Sequence, residues 1–304
     1  MLEEQLGSES ACRDYLFQLR WPDGFRCPRC SHAVAWPQAT ALFECARCGL
    51  QTSVTAGTIF QDTKRPLRLW FRAVWHVTSQ KYGASALGLQ RVLGLGSYHT
   101  AWAWLHKLRR AMVRPGRDRL SGRVQFDETY VGGDKPGKRG RGAAGKALVV
   151  IAAQVVGARI GRIRLQTVPN AGGESLQTAM SQMVDPGAVV ETDGWKGYNG
   201  IERLGYVRRV VREGSEDTEN LLPACHRVAS LLKRWLLGTL QGAVSHEHLG
   251  YYLDEFTFRF NRRTSASRGQ LFFRLLQNAV VIEPTPVKTM IKHVRGKKPN
   301  YKML

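Results

Sequence analysis

Two spacings of apolar residues alternate along the chain, and the change from one to the other falls near residue 120. From Pro66 onward, Leu67, Trp70, Phe71, Val74 and Val77 recur every three or four positions, which is one face of an amphipathic helix. Proline suits the first turn of such a helix. Ala84 to Leu93 reads as a second, short helix. Gly94-Leu95-Gly96 breaks it, and Ser97 can cap a third helix carrying Tyr98, Trp102, Leu105, Leu108 and Met112 at helical spacing. Lys107, Arg109, Arg110 and Arg114 lie beside that stripe. A short helix, a glycine turn and a capped basic helix form a helix-turn-helix arrangement. The plainer alternative is a helical linker with Trp102 and Trp104 in its core.

Arg114 to Gly122 is a polar hinge, and the main boundary is placed there. Beyond it the pattern is that of strands. Val124 to Val131 alternates, and Leu148 to Val156 is a continuous β-branched run of the kind found in a buried central strand. Ile160 to Thr167 and Ala188 to Asp193 continue the series, with Tyr206 to Val211 as a last short strand. Gly173 to Met183, Pro223 to Leu237 and Glu247 to Arg262 carry helical spacing. Tyr251, Tyr252, Phe256 and Phe260 fall on the last of these as core residues. The order predicts an α/β domain: a small mixed sheet flanked by helices.

Cysteine spacing adds a metal site. Cys27-Pro-Arg-Cys30, fourteen residues, then Cys45-Ala-Arg-Cys48-Gly49 is the two-knuckle spacing of a zinc ribbon, with four thiolates for one tetrahedral Zn²⁺. Short strands at Ala35-Trp36 and Ala41-Leu42-Phe43 would frame it. Cys12 and Cys225 stand alone and read as small core residues. His76, His99 and His106 read as surface or core histidines.

Charge then narrows the partner. The chain carries 45 Lys+Arg against 24 Asp+Glu, a formal net charge of +21. Residues 107–146 hold 12 Lys/Arg against 4 acids, and residues 259–302 hold 11 against one. Clustered excess of this size points to a polyanion, contacted through its phosphates. No apolar run approaches the ~18 residues of a membrane helix. The acidic start, Met1 to Ser10, has no apolar signal core, so a cytoplasmic, nucleoid-associated protein is expected.

The candidate chemistry lies in acids at strand ends. Asp127 sits late in the first strand of the sheet and Asp193 ends the fourth. Two carboxylates converging at one sheet end repel unless a cation neutralises them, and oxygen ligands suit Mg²⁺ or Mn²⁺. On the helix from Pro223, His226, Ser230 and Lys233 are four and three apart and share a face. The imidazole would complete a metal shell and the lysine would hold a phosphate. Seen singly, Asp193 before Gly194 is a turn acid, Asp127 beside Glu128 an edge ion pair, and His226 a structural histidine.

Six segments in this order carry a resemblance. They are Cys27 to Cys48, Thr55 to Phe60, Phe126-Asp-Glu-Thr-Tyr-Val-Gly-Gly133, Thr192-Asp-Gly-Trp-Lys-Gly-Tyr198, His226 to Trp235, and Tyr252 to Arg263. The chain resembles insertion-sequence transposases of the ISXO-like group, which join an N-terminal zinc ribbon to a DDE-type, ribonuclease-H-like core. The resemblance implies that Asp127 and Asp193 are the metal-binding aspartates. His226 stands where many such enzymes have glutamate, with Lys233 as the basic residue seven positions on, a DDHK version. Two catalytic ions, Mg²⁺ or Mn²⁺, are implied at Asp127, Asp193 and His226. Imidazole, softer than carboxylate, would favour Mn²⁺. Substitute acids in its place would be Glu219, Glu247, Asp254 or Glu255.

The implied partner is double-stranded DNA, both terminal inverted repeats and target, held by a homodimer or higher oligomer. Lys107, Arg109, Arg110, Lys138, Arg139, Arg141, Arg234, Arg262 and Arg263 are the expected DNA contacts. The expected domains are a zinc ribbon at 1–60, a helix-turn-helix segment at 61–116, the catalytic domain at 117–283 and a basic tail at 284–304. A non-catalytic zinc-ribbon and helix-turn-helix DNA binder is the rival reading. A nuclease sharing the core, cutting by shape without joining, is another.

Overall fold

The computed structural model describes residues 6–114, 116–132, 146–211, 221–240 and 244–292. They fall into two compact units, one from residues up to 115 together with those from 266 onward, the other spanning 116–265.

In the first unit, α1 (Glu9–Arg20) begins at Ser8, whose hydroxyl accepts the Ala11 N–H at 3.0 Å. Strands β1 (Ala35–Pro37), β2 (Phe43–Cys45) and β3 (Gln51–Thr52) form a small antiparallel sheet in that order. Phe17, Trp21, Phe25 and Phe43 pack their rings together beneath it. Helix α2 (Leu67–Ser79) starts at Pro66, which offers no side-chain cap. The Glu9 carboxylate supplies one instead, accepting the Leu67 and Arg68 N–H groups at 2.8 and 3.2 Å. Helix α3 (Ala86–Leu93) is capped by Ser85 and stopped by Gly94, whose φ of 62° is left-handed. Helix α4 (Tyr98–Ala111) follows.

The α4 face differs from the expected one. Trp104 is buried and stacks on Trp70 at 3.8 Å, whereas Tyr98 is 47% exposed. Ser97 stands at the N-cap without a side-chain cap bond. The apolar residues of α4 fit two overlapping stripes, and the Trp70–Trp104 stack together with packing on α3 selects the one through Ala101, Trp104, Leu105 and Leu108. Helix α8 (Arg268–Ala279) packs on α1, α2 and α4, and α9 (Val287–Lys292) ends the described chain. The expected catalytic segment ran through α8. Its buried Phe272 meets Phe71 and Trp75 instead, because those rings offer an apolar seat within the first unit.

The second unit is built on a five-stranded sheet: β4 (Arg123–Val131), β5 (Ala147–Val156), β6 (Arg159–Val168), β7 (Val189–Thr192) and β8 (Val207–Val210). Their spatial order is β6-β5-β4-β7-β8. β4, β5 and β6 pair antiparallel, and β4, β7 and β8 pair parallel. This is the mixed sheet of a ribonuclease-H-like core. Helix α5 (Gly173–Met183) covers one face, over Val124, Phe126, Val150 and Ala152. Helices α6 (Pro223–Leu240) and α7 (Leu249–Asn261) cover the other, over Val149, Ile151 and Ala153. Leu148 to Ala153 is buried throughout, as its unbroken apolar run requires. Cys12 and Cys225 are buried, as expected.

Candidate functional site

The two cysteine knuckles repeat one backbone design. The Cys27 N–H donates to His32 O and the Cys45 N–H to Leu50 O. The Ser31 N–H donates back to Cys27 O and the Gly49 N–H to Cys45 O. Gly49 takes a φ of 67° and its counterpart Ser31 one of 59°, so both knuckles turn through the left-handed region. Cys27, Cys30, Cys45 and Cys48 thereby bring their sulfurs within 4.8 Å of one another. The closest pairs are 3.5–3.6 Å apart. Sulfurs around one Zn²⁺ at about 2.3 Å stand roughly 3.8 Å apart in a tetrahedron, so the donor set fits zinc.

The second site is assembled by strand register. β4 and β7 run parallel with Gln125 opposite Glu191. Two residues past that pair come Asp127, on the same side of the β4 pleat as Gln125, and Asp193, the residue after β7 ends. This side is the one covered by α6. The Asp127 Oδ1 accepts the Glu128 N–H at 2.8 Å, and the Asp193 Oδ1 accepts the Trp195 N–H at 3.0 Å. Each carboxylate is therefore oriented by a backbone amide.

His226 lies in the first turn of α6, with its Nε2 3.5 Å from Asp127 Oδ2. Ser230 and Lys233 follow on the same exposed stripe. Among the described residues, the four cysteines are the one group of three or more His, Cys, Asp or Glu ligand atoms within 4.8 Å of one another. The structure thus joins His226 to Asp127, and Asp193 does not come within 4.8 Å of both. A carboxylate and an imidazole this close are groups of the kind that bind a divalent cation.

Two of the substitute acids have charged partners elsewhere. Glu255 is buried and bonded to Arg259 at 2.7 Å, and Asp254 lies in the field of Arg117. Glu247 is exposed in the turn before α7, and Glu219 lies outside the described residues.

Three residues around the site went unread in the sequence. Gln125 is buried, donates from Nε2 to Glu191 at 3.2 Å and accepts the Ala224 N–H at 2.8 Å. Glu191 is buried and also accepts from Arg123 at 2.7 Å and Arg209 at 3.4 Å. Burial alone would raise its carboxyl. The bonds from Arg123 and Gln125 and the charges of Arg123 and Arg209 outweigh that and hold it below the usual range. Tyr198, fully buried, donates its hydroxyl to Glu128 on the opposite side of the sheet from Asp127. The cue for Gln125 and Glu191 was a polar residue at an inward position of a buried strand.

Several expected DNA contacts are otherwise engaged. Arg109 is 2% exposed, with Nη2 donating to Ala84 O at 3.4 Å, so it closes the α3–α4 packing. Lys107 is half-buried, and burial lowers its ammonium below the usual range. Arg110 is half-buried. Arg262 stacks on Phe258 and Arg263 on Phe260. Arg263 also donates to the Ile160 and Gly161 carbonyls of the edge strand β6. These two arginines satisfy backbone at the end of α7. Arg234 and Lys233 are exposed. Lys138, Arg139 and Arg141 lie outside the described residues.

The fold and its two sites define a zinc-ribbon protein with a ribonuclease-H-like core. Comparison with known families agrees. Residues 119–261 match the ISXO2-like transposase domain, and residues 7–51 match the transposase zinc-ribbon domain. The two matches, in this order along the chain, indicate an insertion-sequence transposase. An uncharacterized protein in transposable element ISH50 of Halobacterium salinarum is 28% identical over 278 residues, covering 83% of this chain and 90% of that one. A chain of a simian T-cell lymphotropic virus intasome in complex with a PP2A regulatory subunit overlays at a TM-score of 0.30 and 12% identity. It covers 56% of this chain, which in turn spans 63% of that one.

Proposed function

We propose that this chain cuts phosphodiesters at the terminal inverted repeats of its own element and joins the freed 3′-hydroxyl to target DNA. The observation that carries the reading is the 3.5 Å approach of His226 to Asp127, with Asp193 directly following β7, the parallel neighbour of the strand that holds Asp127. Asp127, Asp193 and His226 would hold the divalent ions, Mg²⁺ or Mn²⁺. What such a pair of ions supplies when bound is activation of a water or 3′-hydroxyl and stabilisation of the departing oxygen.

The protein's own part is positioning. The Glu128 and Trp195 amides fix the two carboxylates, so they need no reorganisation on binding. Lys233, exposed two turns beyond His226, is placed to hold a phosphate as a point charge. Arg234 beside it extends the contact along the backbone.

End recognition falls to the zinc ribbon and to a helix-turn-helix formed by α3 and α4. The exposed part of α4 is its first turn, Ser97, Tyr98 and His99, and a recognition helix reads base edges from that end. Pairing two ends calls for a homodimer or higher oligomer, acting at the nucleoid in the cytoplasm. Among the described residues no helix is long and apolar enough to cross a membrane.

The test uses a plasmid bearing the gene's flanking DNA, incubated with protein in Mg²⁺ or Mn²⁺, with broken and joined strands mapped. Symmetric breaks that vanish in Asp127→Asn and Asp193→Asn are expected. Cleavage that persists in both variants would sink the assignment. Salt-sensitive DNA binding without breaks in either metal would favour the non-catalytic reading.

A further inference from the structure

The segment from Asp193 to Tyr198 follows β7 and is held at several points. Trp195 donates its N–H to Asp193 and its indole Nε1–H to Ala171 O at 2.9 Å. The Tyr198 N–H bonds Trp195 O at 3.1 Å. Gly197 is pressed against α5: a Cβ there would stand 2.7 Å from Trp195 Nε1, 2.8 Å from Leu176 Cδ1 and 2.9 Å from Ala171 O. Gln177 of α5 donates to Asn199 O at 2.9 Å. The loop ends at Tyr198, whose ring meets Phe126 edge-on at 5.9 Å.

Tyr198 then reaches back to β4. Its hydroxyl donates to Glu128, the residue after Asp127, and no strand hydrogen bond joins β4 and β7 at that level, since their ladder ends at Gln125 and Glu191. The Tyr198–Glu128 bond is thus a cross-tie between the two aspartate-bearing segments beyond the last rung. Burial, then the charges of Glu128, Asp127 and Asp193, push the phenol far above its usual range, so it remains a donor at any working pH.

We propose that Glu128 and Tyr198 are positioning residues for the metal site, a latch on the far side of the sheet that holds Asp127 and Asp193 at one separation. The inference rests on the reading of those aspartates as metal ligands. An outer partner that orients ligands typically contributes 10–100-fold to metal affinity or activity.

The test measures Mn²⁺ binding to the full chain by calorimetry, alongside the Mn²⁺ dependence of plasmid cleavage. Tyr198→Phe keeps the buried ring and removes only the hydroxyl. It is expected to weaken Mn²⁺ binding about 10-fold or more. Saturating Mn²⁺ should restore its cleavage, a rescue that a purely structural loss would not show. Asp127→Asn should bind weakly and not be rescued. Should Tyr198→Phe fail to fold, Glu128→Leu, which removes the acceptor at similar size, takes its place with the same expected direction. Wild-type affinity in the latch variant, with Asp127→Asn impaired, would overturn the latch alone. Unchanged Mn²⁺ binding in Asp127→Asn would overturn the metal reading and the latch with it.

Discussion

The buried side-chain carbonyl of Gln125 accepts the N–H of Ala224 at 2.8 Å and so ties the first turn of α6 to the middle of the sheet. Two residues later that turn presents His226 to Asp127. A helix start leaves N–H groups without intrahelical partners, and here a strand side chain supplies one. The same carboxamide holds Glu191, so one residue couples the helix to β7.

Gln125→Ala removes both bonds at once. The expected cost is about 1–3 kcal/mol of folding stability, that of leaving buried polar groups unsatisfied. Urea unfolding checks it. A midpoint within error of wild type would mean that the link positions nothing.

Glu191 gives stability a dependence on acid. Its carboxyl is held below the ordinary 4.5 by Arg123, Gln125 and Arg209 against the effect of burial. A lowered folded-state value contributes stability that is complete above the unfolded value and is lost as pH falls through the lowered one. Unfolding measured from pH 7 downward should therefore show wild type weakening below about 4.5, with a shallower acid limb in Glu191→Gln. Parallel limbs would contradict the network.

The two glycines flanking Trp195 should behave oppositely. A Cβ on Gly197 would collide with Trp195, Leu176 and the Ala171 carbonyl, whereas one on Gly194 meets nothing within 4 Å. Gly197→Ala is expected to cost about 1–3 kcal/mol through overpacking. Gly194→Ala should stay within about 0.5 kcal/mol in stability. Thermal unfolding of the pair decides, and equal shifts would refute the packing account.

The knuckle cysteines should hold about one zinc per chain, released stoichiometrically when the thiols are modified. Cys45→Ser should lose most of that metal and, with it, the fold of residues 7–51. Colorimetric zinc release and circular dichroism report both. Full zinc content in Cys45→Ser would remove that residue from the ligand set.

Much of the molecule was readable because its determinants are local. Cys-x-x-Cys turns fix where two sulfurs point within a few bonds, and the spacing from Cys27 to Cys48 alone gave the zinc site. Alternation in Val124 to Val131 and the apolar run after Leu148 gave the central strands, and the 226–230–233 spacing gave the exposed stripe of α6.

What the tertiary structure alone decided was which of two locally equivalent choices each segment took. Arg109 lies beside an apolar stripe in sequence, yet packing of α4 on α3 buried it, with its guanidinium on the Ala84 carbonyl. Arg263 satisfies the carbonyls of β6, a partner about a hundred residues away. Asp127 and Asp193 are carried by neighbouring segments because β4 and β7 pair with Gln125 opposite Glu191, a register no local spacing encodes. Periodicity along the chain says which face of an element is apolar, whereas burial and ion pairing depend on neighbours brought close only when the sheet forms.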